Sequence, residues 1–279
     1  MMTGSPLERL AELAQLWRVT IGRMRTTPGS IVAFGFRDDA PVLLKVSTHP
    51  HEEWRAGELI SAFAGRGMVR ALEHAPGAVL LEEVKPATPL ARVIDAEGDE
   101  RAVHVLASVI AAMQETSPAV RGYPSAQEWG RSFERYLASN NDEIPVTLVV
   151  EAQRLYEHLC RTQAPPRLLH GDLHHDNVLL DAGRGWLAID PKGVVAELEF
   201  ELGAALRNPA EMPVLYTPGA IERRAKAYAR QLDLDAGRIV QWTFAQAVLS
   251  AIWITEDGGL PAADNAGLQV AVSAREMLV

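Results

Sequence analysis

The first third of the chain alternates short apolar runs with turns, a pattern typical of a small sheet. Ser5-Pro6-Leu7-Glu8 supplies an N-cap serine, a proline at the first helical position and a capping-box glutamate, and predicts a helix to about Trp17. Runs of β-like composition and one further helical pattern follow. The predicted strands are Val19–Arg25, Ile31–Arg37, Val42–Ser47, Met68–Glu73 and Ala78–Val84, and the predicted second helix is His51–Ala64.

Beyond Val84 the pattern becomes mostly helical. Lys85-Pro86-Ala87-Thr88-Pro89 predicts a stiff connector, which we take as the boundary between a domain of residues 1–84 and a domain of residues 85–279. The predicted helices of the second domain include Ala102–Glu115, Ser125–Ser139 and Val146–Arg161. The exception is a β-hairpin predicted for Val178–Leu180 and Trp186–Ile189. The sequence therefore predicts an α+β fold, with an antiparallel sheet first and mainly helices afterwards.

Composition narrows the range of partners. The 279 residues are 48% apolar and 23% charged, as in an ordinary globular protein. The net charge of −9 argues against nucleic-acid binding, which needs clustered Lys and Arg, and is compatible with a cationic ligand. There is no apolar run of 18 residues and no apolar segment in Met1–Leu10, so we expect a cytoplasmic protein without a membrane span. The single cysteine, Cys160, is expected to be a core residue.

The densest polar cluster is His170-Gly171-Asp172-Leu173-His174-His175-Asp176-Asn177, which lies between apolar runs. Phosphoryl transfer uses a carboxylate that orients the acceptor hydroxyl and takes its proton, with an Asn and a second carboxylate that hold Mg²⁺. In kinases the first two lie five residues apart on one loop, and the third follows a hairpin. Asp172, Asn177 and Asp190 have this order. We therefore predict that Asp172 is the catalytic base and that Asn177 and Asp190 bind Mg²⁺.

A kinase also needs a lysine on its third strand to contact the nucleotide phosphates, and a glutamate on the next helix to position that lysine. Lys45 lies on the predicted third strand and is one of only four lysines among 27 basic residues, while Glu58 lies in the following helix. Two weaker candidates are backbone groups. Those of the turn that ends at Ser30 would bind the phosphates, and those of Glu82 and Val84 would bind the adenine ring of the nucleotide. The alternative interpretation is a solvated strand lysine and a solvated helix glutamate.

Two longer segments carry a family resemblance. His170–Leu180 and Ile189–Gly193 resemble the catalytic segments of aminoglycoside phosphotransferases. The run through Glu201-Leu202 and Leu206-Arg207-Asn208-Pro209, together with Trp253-Ile254-Thr255-Glu256-Asp257-Gly258, most resembles the aminoglycoside/hydroxyurea antibiotic-resistance kinase family, which includes streptomycin 6-phosphotransferases. The resemblance spans about Leu44 to Gly258. It implies a protein-kinase-like bilobal fold, ATP or GTP as phosphoryl donor, and inactivation of an antibiotic.

The same resemblance suggests an acceptor site. Glu256 and Asp257, beside Trp253, are suited to pair with guanidinium or ammonium groups, whereas the alternative is an exposed acidic helix end. Streptomycin is the acceptor that the resemblance favours, and hydroxyurea or another small metabolite is the alternative. Where the family usually has Gly-Asp-Pro, this chain has Ala196-Glu197-Leu198, which leaves the geometry of that loop and the acceptor specificity open.

Two other classes of protein compete with a kinase. A Zn or two-metal hydrolase would use the imidazole and carboxylate groups of the cluster, but it would leave Asn177 and Asp190 unexplained. We expect His170 and His174 to fix the loop through hydrogen bonds instead, and for His175 we favour neither role. A non-catalytic pseudokinase would be expected to lack Lys45 or one of the two aspartates, and all three residues are present.

Overall fold

The computed structural model describes residues 5–49, 52–116, 118–139, 141–259 and 265–278. Contacts within the chain divide it into two compact units. The first consists of Met1–Pro89, Val109–Pro118 and Val178–Lys192, and the second of Leu90–Ser108, Ala119–Asn177 and Gly193–Val279. The predicted α+β class is confirmed, because the first unit contains antiparallel sheets and the second is mainly helical. The expected boundary after Val84 stays a prediction.

The first unit is built on a five-stranded antiparallel sheet with the strand order β1-β2-β3-β5-β4. The strands are β1 (Thr20–Thr26), β2 (Ser30–Arg37), β3 (Ala40–Ser47), β4 (Ala71–Ala75) and β5 (Ala78–Glu82). They are preceded by α1 (Pro6–Leu16), in which Ser5 and Glu8 form the predicted capping box. The predicted helix after β3 is a 3₁₀ turn (Glu52–Arg55) followed by α2 (Ala56–Ala62). His51, its expected first residue, lies outside the described residues.

Alternation along β3 decides which side chains face α1. Val42, Leu44 and Val46 are at most 1% exposed and pack in one core with Leu10 and Trp17. Successive side chains of a strand point to opposite faces of the sheet. Lys45 therefore projects from the face that α1 does not cover, on a strand that is paired on both sides with β2 and β5.

The segment predicted as a stiff connector is in fact a strand, which corrects that expectation. β6 (Pro86–Pro89) pairs with β8 (Val178–Asp181), and β8 pairs with β9 (Gly185–Ala188) in the predicted hairpin. β6 lies at the edge of this sheet, where a proline without an N–H group is tolerated. Its partner lies far away in the sequence, so no local pattern could reveal the pairing.

The second unit is mainly helical. Its longest helix is α10 (Ala236–Glu256), which is largely buried. The helices before and after it are α3 (Ala91–Glu97), α4 (Asp99–Gln114), α5 (Ala126–Trp129), α6 (Arg131–Ala138), α7 (Val146–Thr162), α8 (Leu198–Leu206), α9 (Pro218–Leu232) and α11 (Ala266–Glu276). Helix α10 packs against α6, α7, α8, α9 and α11. Two short strands, β7 (Arg167–Leu169) and β10 (Val194–Ala196), pair with each other and were not predicted. Within the described ranges, no helix is long and apolar enough to cross a membrane.

Glu197 gives the departure from Gly-Asp-Pro a structural reason. Its side chain is only 1% exposed, and its carboxylate accepts hydrogen bonds from Ala164 N (2.8 Å), Trp242 Nε1 (2.5 Å) and the Arg238 guanidinium. These donors come from the end of α7 and from α10. The glutamate at the N-cap of α8 therefore ties the two helices to the start of a third.

We expect Glu197→Ala to lower the free energy of unfolding by about 3–5 kcal/mol, because it leaves the partly buried Arg238 without its counter-charge. Glu222→Ala is the matched control, since Glu222 forms an exposed i, i+4 pair with Lys226 and should change stability by at most about 0.5 kcal/mol. Urea unfolding of both variants measures the difference. Equal small losses would show that Glu197 does not connect these helices.

Candidate active site

The loop that carries Asp172 follows directly on β7. Gly171 has a φ of +82°, which favours glycine, and a Cβ there would lie 3.0 Å from the Trp129 ring. A 3₁₀ turn, His175–Asn177, ends the loop. Asn177 Nδ2 donates to the Asp172 carbonyl oxygen at 2.9 Å. The five-residue step is therefore closed by a direct hydrogen bond, and the Asn177 amide oxygen keeps the chemistry of a cation ligand.

A buried carboxylate supports this loop from α8. Glu201 is 2% exposed and accepts hydrogen bonds from the backbone N–H groups of His170 (2.7 Å) and Gly171 (2.9 Å), and from that of Leu173. Burial raises the pKa of Glu201 to about 7, and these three hydrogen bonds act in the opposite direction. Because three backbone N–H groups donate to this one side chain, Glu201 fixes the backbone on both sides of Asp172.

The histidines of the loop have structural surroundings. His170 Nδ1 accepts from Asp172 N at 3.2 Å, and His174 Nδ1 accepts from Asp176 N at 3.3 Å, which confirms the prediction that both fix the loop. His175 is fully buried, and burial lowers its pKa to about 3. The His175 ring is therefore neutral at ordinary pH.

In the first unit Lys45 and Asp190 are in direct contact. Lys45 Nζ donates to Asp190 Oδ1 at 2.8 Å, and the two side chains are 13% and 42% exposed. Asp190 comes just after β9 and adopts a left-handed conformation with a φ of +53°. Lys45 and Asp190, which the sequence singled out at distant positions, are thus in contact. Asp190 is the more exposed of the two, so its carboxylate remains accessible to solvent and to a cation.

Glu58 lies on α2 as predicted and is paired with Arg55. Its carboxylate accepts from the Arg55 guanidinium at 2.6 and 2.9 Å, and this hydrogen bond lowers the pKa of Glu58. The positioning of Lys45 by Glu58 stays a prediction.

The weaker nucleotide candidates have their own local contacts. Ser30 is 3% exposed, and its N–H and hydroxyl both contact Thr27 Oγ1, so this serine mainly fixes the turn. The Glu82 carboxylate accepts from Arg70 N at 2.9 Å and from the Arg184 guanidinium. Val84 is half-buried between β5 and β6. A nucleotide role for these three residues stays a prediction.

The predicted acceptor residues meet two that were not predicted, Ser132 and Arg135 of α6. Glu256 accepts from Arg135 at 2.8 and 3.2 Å and from Ser132 Oγ at 3.0 Å. Trp253 Nε1 donates to the same hydroxyl at 3.0 Å. Asp257 is exposed at the end of α10. A guanidinium therefore already occupies the Glu256 carboxylate, in the geometry that planar cations prefer.

Residues 17–258 match the model of the aminoglycoside/hydroxyurea antibiotic resistance kinase family. The chain belongs to this family. It is thus a phosphotransferase that acts on a hydroxyl group of a small molecule, and the predicted resemblance is confirmed. The hydrolase and the pseudokinase are not supported.

Characterised relatives cover most of the chain. A streptomycin 3''-kinase of Klebsiella pneumoniae is 33% identical over 87% of this chain and 91% of its own. A streptomycin 6-kinase of Streptomyces glaucescens is 29% identical over 95% and 87%. A hydroxyurea phosphotransferase of Kitasatospora aureofaciens is 30% identical over 90% and 73%.

Solved structures confirm the predicted protein-kinase-like fold of this kinase. The choline kinase LicA of Streptococcus pneumoniae superimposes with a TM-score of 0.64 at 15% identity, over 98% of this chain and 99% of its own. The aminoglycoside phosphotransferase APH(4)-Ia, in complex with AMP-PNP and hygromycin B, gives 0.66 at 12% identity, over 96% and 98%. At these identities the likeness establishes the fold alone.

Arg207, like Glu201, was not predicted as part of the site. Its Nη2 atom lies 3.9 Å from Asp172 Oδ1. Glu201 and Arg207 entered the sequence analysis only within the family resemblance, because neither periodicity nor spacing marks a residue that acts on a loop about 30 positions away.

We expect the stability of the kinase to depend on pH through Glu201. Its carboxyl loses a proton near pH 4.5 when unfolded and near pH 7 when folded, so between these values the folded state binds more protons and stability falls as pH rises. Glu201→Gln does not titrate. The difference in unfolding free energy, wild type minus variant, should therefore decrease by about 3 kcal/mol from pH 4.5 to 7 in urea titrations. A constant difference would contradict the shifted pKa.

Proposed function

We propose that this kinase inactivates streptomycin by transferring the γ-phosphoryl group of ATP to one of its hydroxyl groups. The observation that carries the proposal is the 33% identity with a streptomycin 3''-kinase over 87% of the chain. The catalytic loop supports it, because the hydrogen bonds with Asn177 and with Glu201 of α8 fix its backbone around Asp172. ATP as donor is consistent with a cytoplasmic protein, and GTP is the alternative donor.

In the proposed reaction Asp172 acts as the base. The acceptor hydroxyl oxygen forms a bond to the γ-phosphorus of ATP, the bond between that phosphorus and the β–γ bridging oxygen breaks, and ADP leaves with the electron pair. The hydroxyl proton passes to the Asp172 carboxylate. This carboxylate is 23% exposed, so it is accessible to a substrate while its backbone is fixed by Asn177 and by His170.

In the proposed reaction the negative charge of the phosphates is stabilised by Mg²⁺, through two oxygen ligands, and by a lysine. Asn177 and Asp190 offer amide and carboxylate oxygens, the hard donors that Mg²⁺ prefers, so the residues fit this ion. When bound, Mg²⁺ neutralises phosphate charge. Lys45, which contacts Asp190, would bind a phosphate oxygen, and Glu58 would help to orient the lysine. Ser30, Glu82 and Val84 complete the proposed nucleotide contacts.

The acceptor is proposed to be cationic. Streptomycin carries guanidinium groups, and Glu256 binds a guanidinium, that of Arg135, through both carboxylate oxygens. Asp257 adds negative charge at the same helix end, and Trp253 presents a ring that Ser132 and Trp129 hold in place. We propose that these residues recognise the cationic part of the acceptor.

A second candidate acceptor is hydroxyurea. The observation that favours it is the 30% identity with a hydroxyurea phosphotransferase, over 90% of the chain. Hydroxyurea is small and uncharged, so it would gain little from Glu256 and Asp257. Parallel assays with the two compounds distinguish the candidates.

We expect wild-type protein with Mg²⁺ and ATP to add one phosphoryl group to streptomycin, detected by mass spectrometry, with fragmentation to locate the modified hydroxyl. Asp172→Ala should lower kcat by roughly 10²–10⁴-fold, the usual contribution of a general base, and should still bind ATP. If only hydroxyurea is phosphorylated, hydroxyurea replaces streptomycin as the acceptor. If ATP binds and neither product forms, both acceptors are rejected. A near-normal kcat for Asp172→Ala would contradict the role of Asp172 as the base.

We also expect Glu256→Gln to raise KM for streptomycin by about fivefold, because an exposed or half-exposed ion pair contributes on the order of 1 kcal/mol. KM for ATP and kcat should change little. Glu134→Gln, on the same α6 as Arg135 but outside this cluster, is the matched control. Steady-state kinetics with each substrate varied in turn would measure both constants. An unchanged KM for streptomycin would exclude Glu256 from acceptor recognition.

A further inference from the structure

The segment Leu206-Arg207-Asn208-Pro209 is prominent in the family resemblance, and the proposed reaction assigns it no role. Arg207 is the C-cap of α8, the same helix whose Glu201 supports the catalytic loop. The two residues are six positions apart, so one short helix brings a carboxylate beneath the loop and a guanidinium beside it.

The guanidinium of Arg207 faces the proposed base. Its Nη2 atom lies 3.9 Å from Asp172 Oδ1, which is an ion-pair distance and too long for a hydrogen bond. The Arg207 side chain is 10% exposed. Burial lowers the pKa of Arg207 and Asp172 acts in the opposite direction, and an arginine keeps its charge at such positions. Little water screens this pair, so its attraction exceeds that of a surface pair.

Arg207 is held by its own support. Its Nη1 atom donates to Gln246 Oε1 at 3.2 Å, and Gln246 Nε2 donates in turn to Phe200 O at 2.6 Å. A Cβ at position 203 would lie 2.5 Å from the Gln246 side chain, so Gly203 is what allows the glutamine to lie against α8. The orientation of the guanidinium is therefore fixed by a buried amide.

The backbone around Arg207 is fixed as well. Arg224 of α9 is 1% exposed and donates to carbonyl oxygens on both sides of position 207. The acceptors are Ala205 O (3.4 Å), Leu206 O (2.9 Å), Asn208 O (3.4 Å) and Leu215 O (2.7 Å). A buried arginine that donates to three carbonyl oxygens next to position 207 therefore fixes the backbone that carries Arg207.

We propose that Arg207 is a positioning residue for phosphoryl transfer, which orients the Asp172 carboxylate toward the acceptor hydroxyl through the charge of its guanidinium. This inference rests on the proposed function of Asp172. The hydrogen bonds of the loop fix the Asp172 backbone, whereas the pair with Arg207 acts on its carboxylate. The two supports are complementary, because the first fixes the backbone and the second acts on the reacting group.

The test is chemical rescue in the streptomycin assay. Arg207→Ala should lower kcat on the order of 10²-fold, as removal of one preorganised electrostatic partner does, with KM for ATP nearly unchanged. Guanidinium chloride at tens of millimolar, far below denaturing concentrations, should restore kcat at least about tenfold. A normal kcat, or a low kcat that guanidinium does not raise, would overturn the proposal.

Arg238→Ala is the matched control, because Arg238 is also a partly buried arginine of the second unit and is paired with Glu197. It should lose stability while guanidinium leaves its kcat, measured on folded protein, unchanged. Wild type with the same additive measures any competition at the acceptor site. If Arg207→Ala does not fold, Arg207→Lys carries the test, with an expected fall in kcat of about tenfold, and full activity of this variant would overturn the proposal.

Failure of this inference and failure of the proposed function give different results. If wild type forms no phosphorylated streptomycin, the proposed reaction itself is contradicted. An active wild type with an equally active Arg207→Ala would leave the reaction in place and remove only the role of Arg207.

Discussion

The catalytic loop depends on one buried carboxylate. A loop between two short strands has few backbone hydrogen bonds of its own, and its buried N–H groups need partners. Glu201 meets that need for three of them at once, from a helix that also packs against α10. Because Glu201 and Asp172 carry the same charge, the arrangement raises the cost of ionising both.

Helix α8 and its two caps bring the necessary charges together over eleven residues. Glu197, at its N-cap, ties it to α7 and α10, Glu201 supports the loop, and Arg207 ends the helix next to Asp172. Arg207 supplies a positive charge close to the Asp172 carboxylate. Apart from Glu199 the rest of the helix is apolar, and it is buried, so Glu201 and Arg207 are positions at which its sequence serves the site rather than the core.

The sequence pattern predicts those elements whose structure depends on neighbouring residues. The capping box of α1, the hairpin β8–β9 and the alternation that places Lys45 away from α1 all follow from neighbouring residues. The motif order also singled out Lys45 and Asp190, and the structure shows the two in contact although they are far apart in sequence. Strands β6, β7 and β10 were missed because their stability comes from distant partners. Glu201 was missed as a support for the same reason, since its partners are the backbone N–H groups of another segment, which are invisible in a sequence.

The acceptor site is the part of the kinase least determined by the catalytic machinery. Relatives of similar identity act on different hydroxyls of streptomycin or on hydroxyurea, so the same kind of loop serves acceptors of different size and charge. We therefore propose that specificity lies in side chains outside the loop, and Glu256 is the candidate whose contacts are best defined. Its carboxylate is held by Ser132 and neutralised by Arg135, which is 59% exposed and thus easily displaced. In the proposed complex an acceptor guanidinium replaces that of Arg135 on Glu256. The exposed pair with Arg135 contributes little by itself, so an acceptor that also contacts Trp253 and Asp257 would compete successfully for this carboxylate, and discrimination between acceptors would depend on those two neighbours.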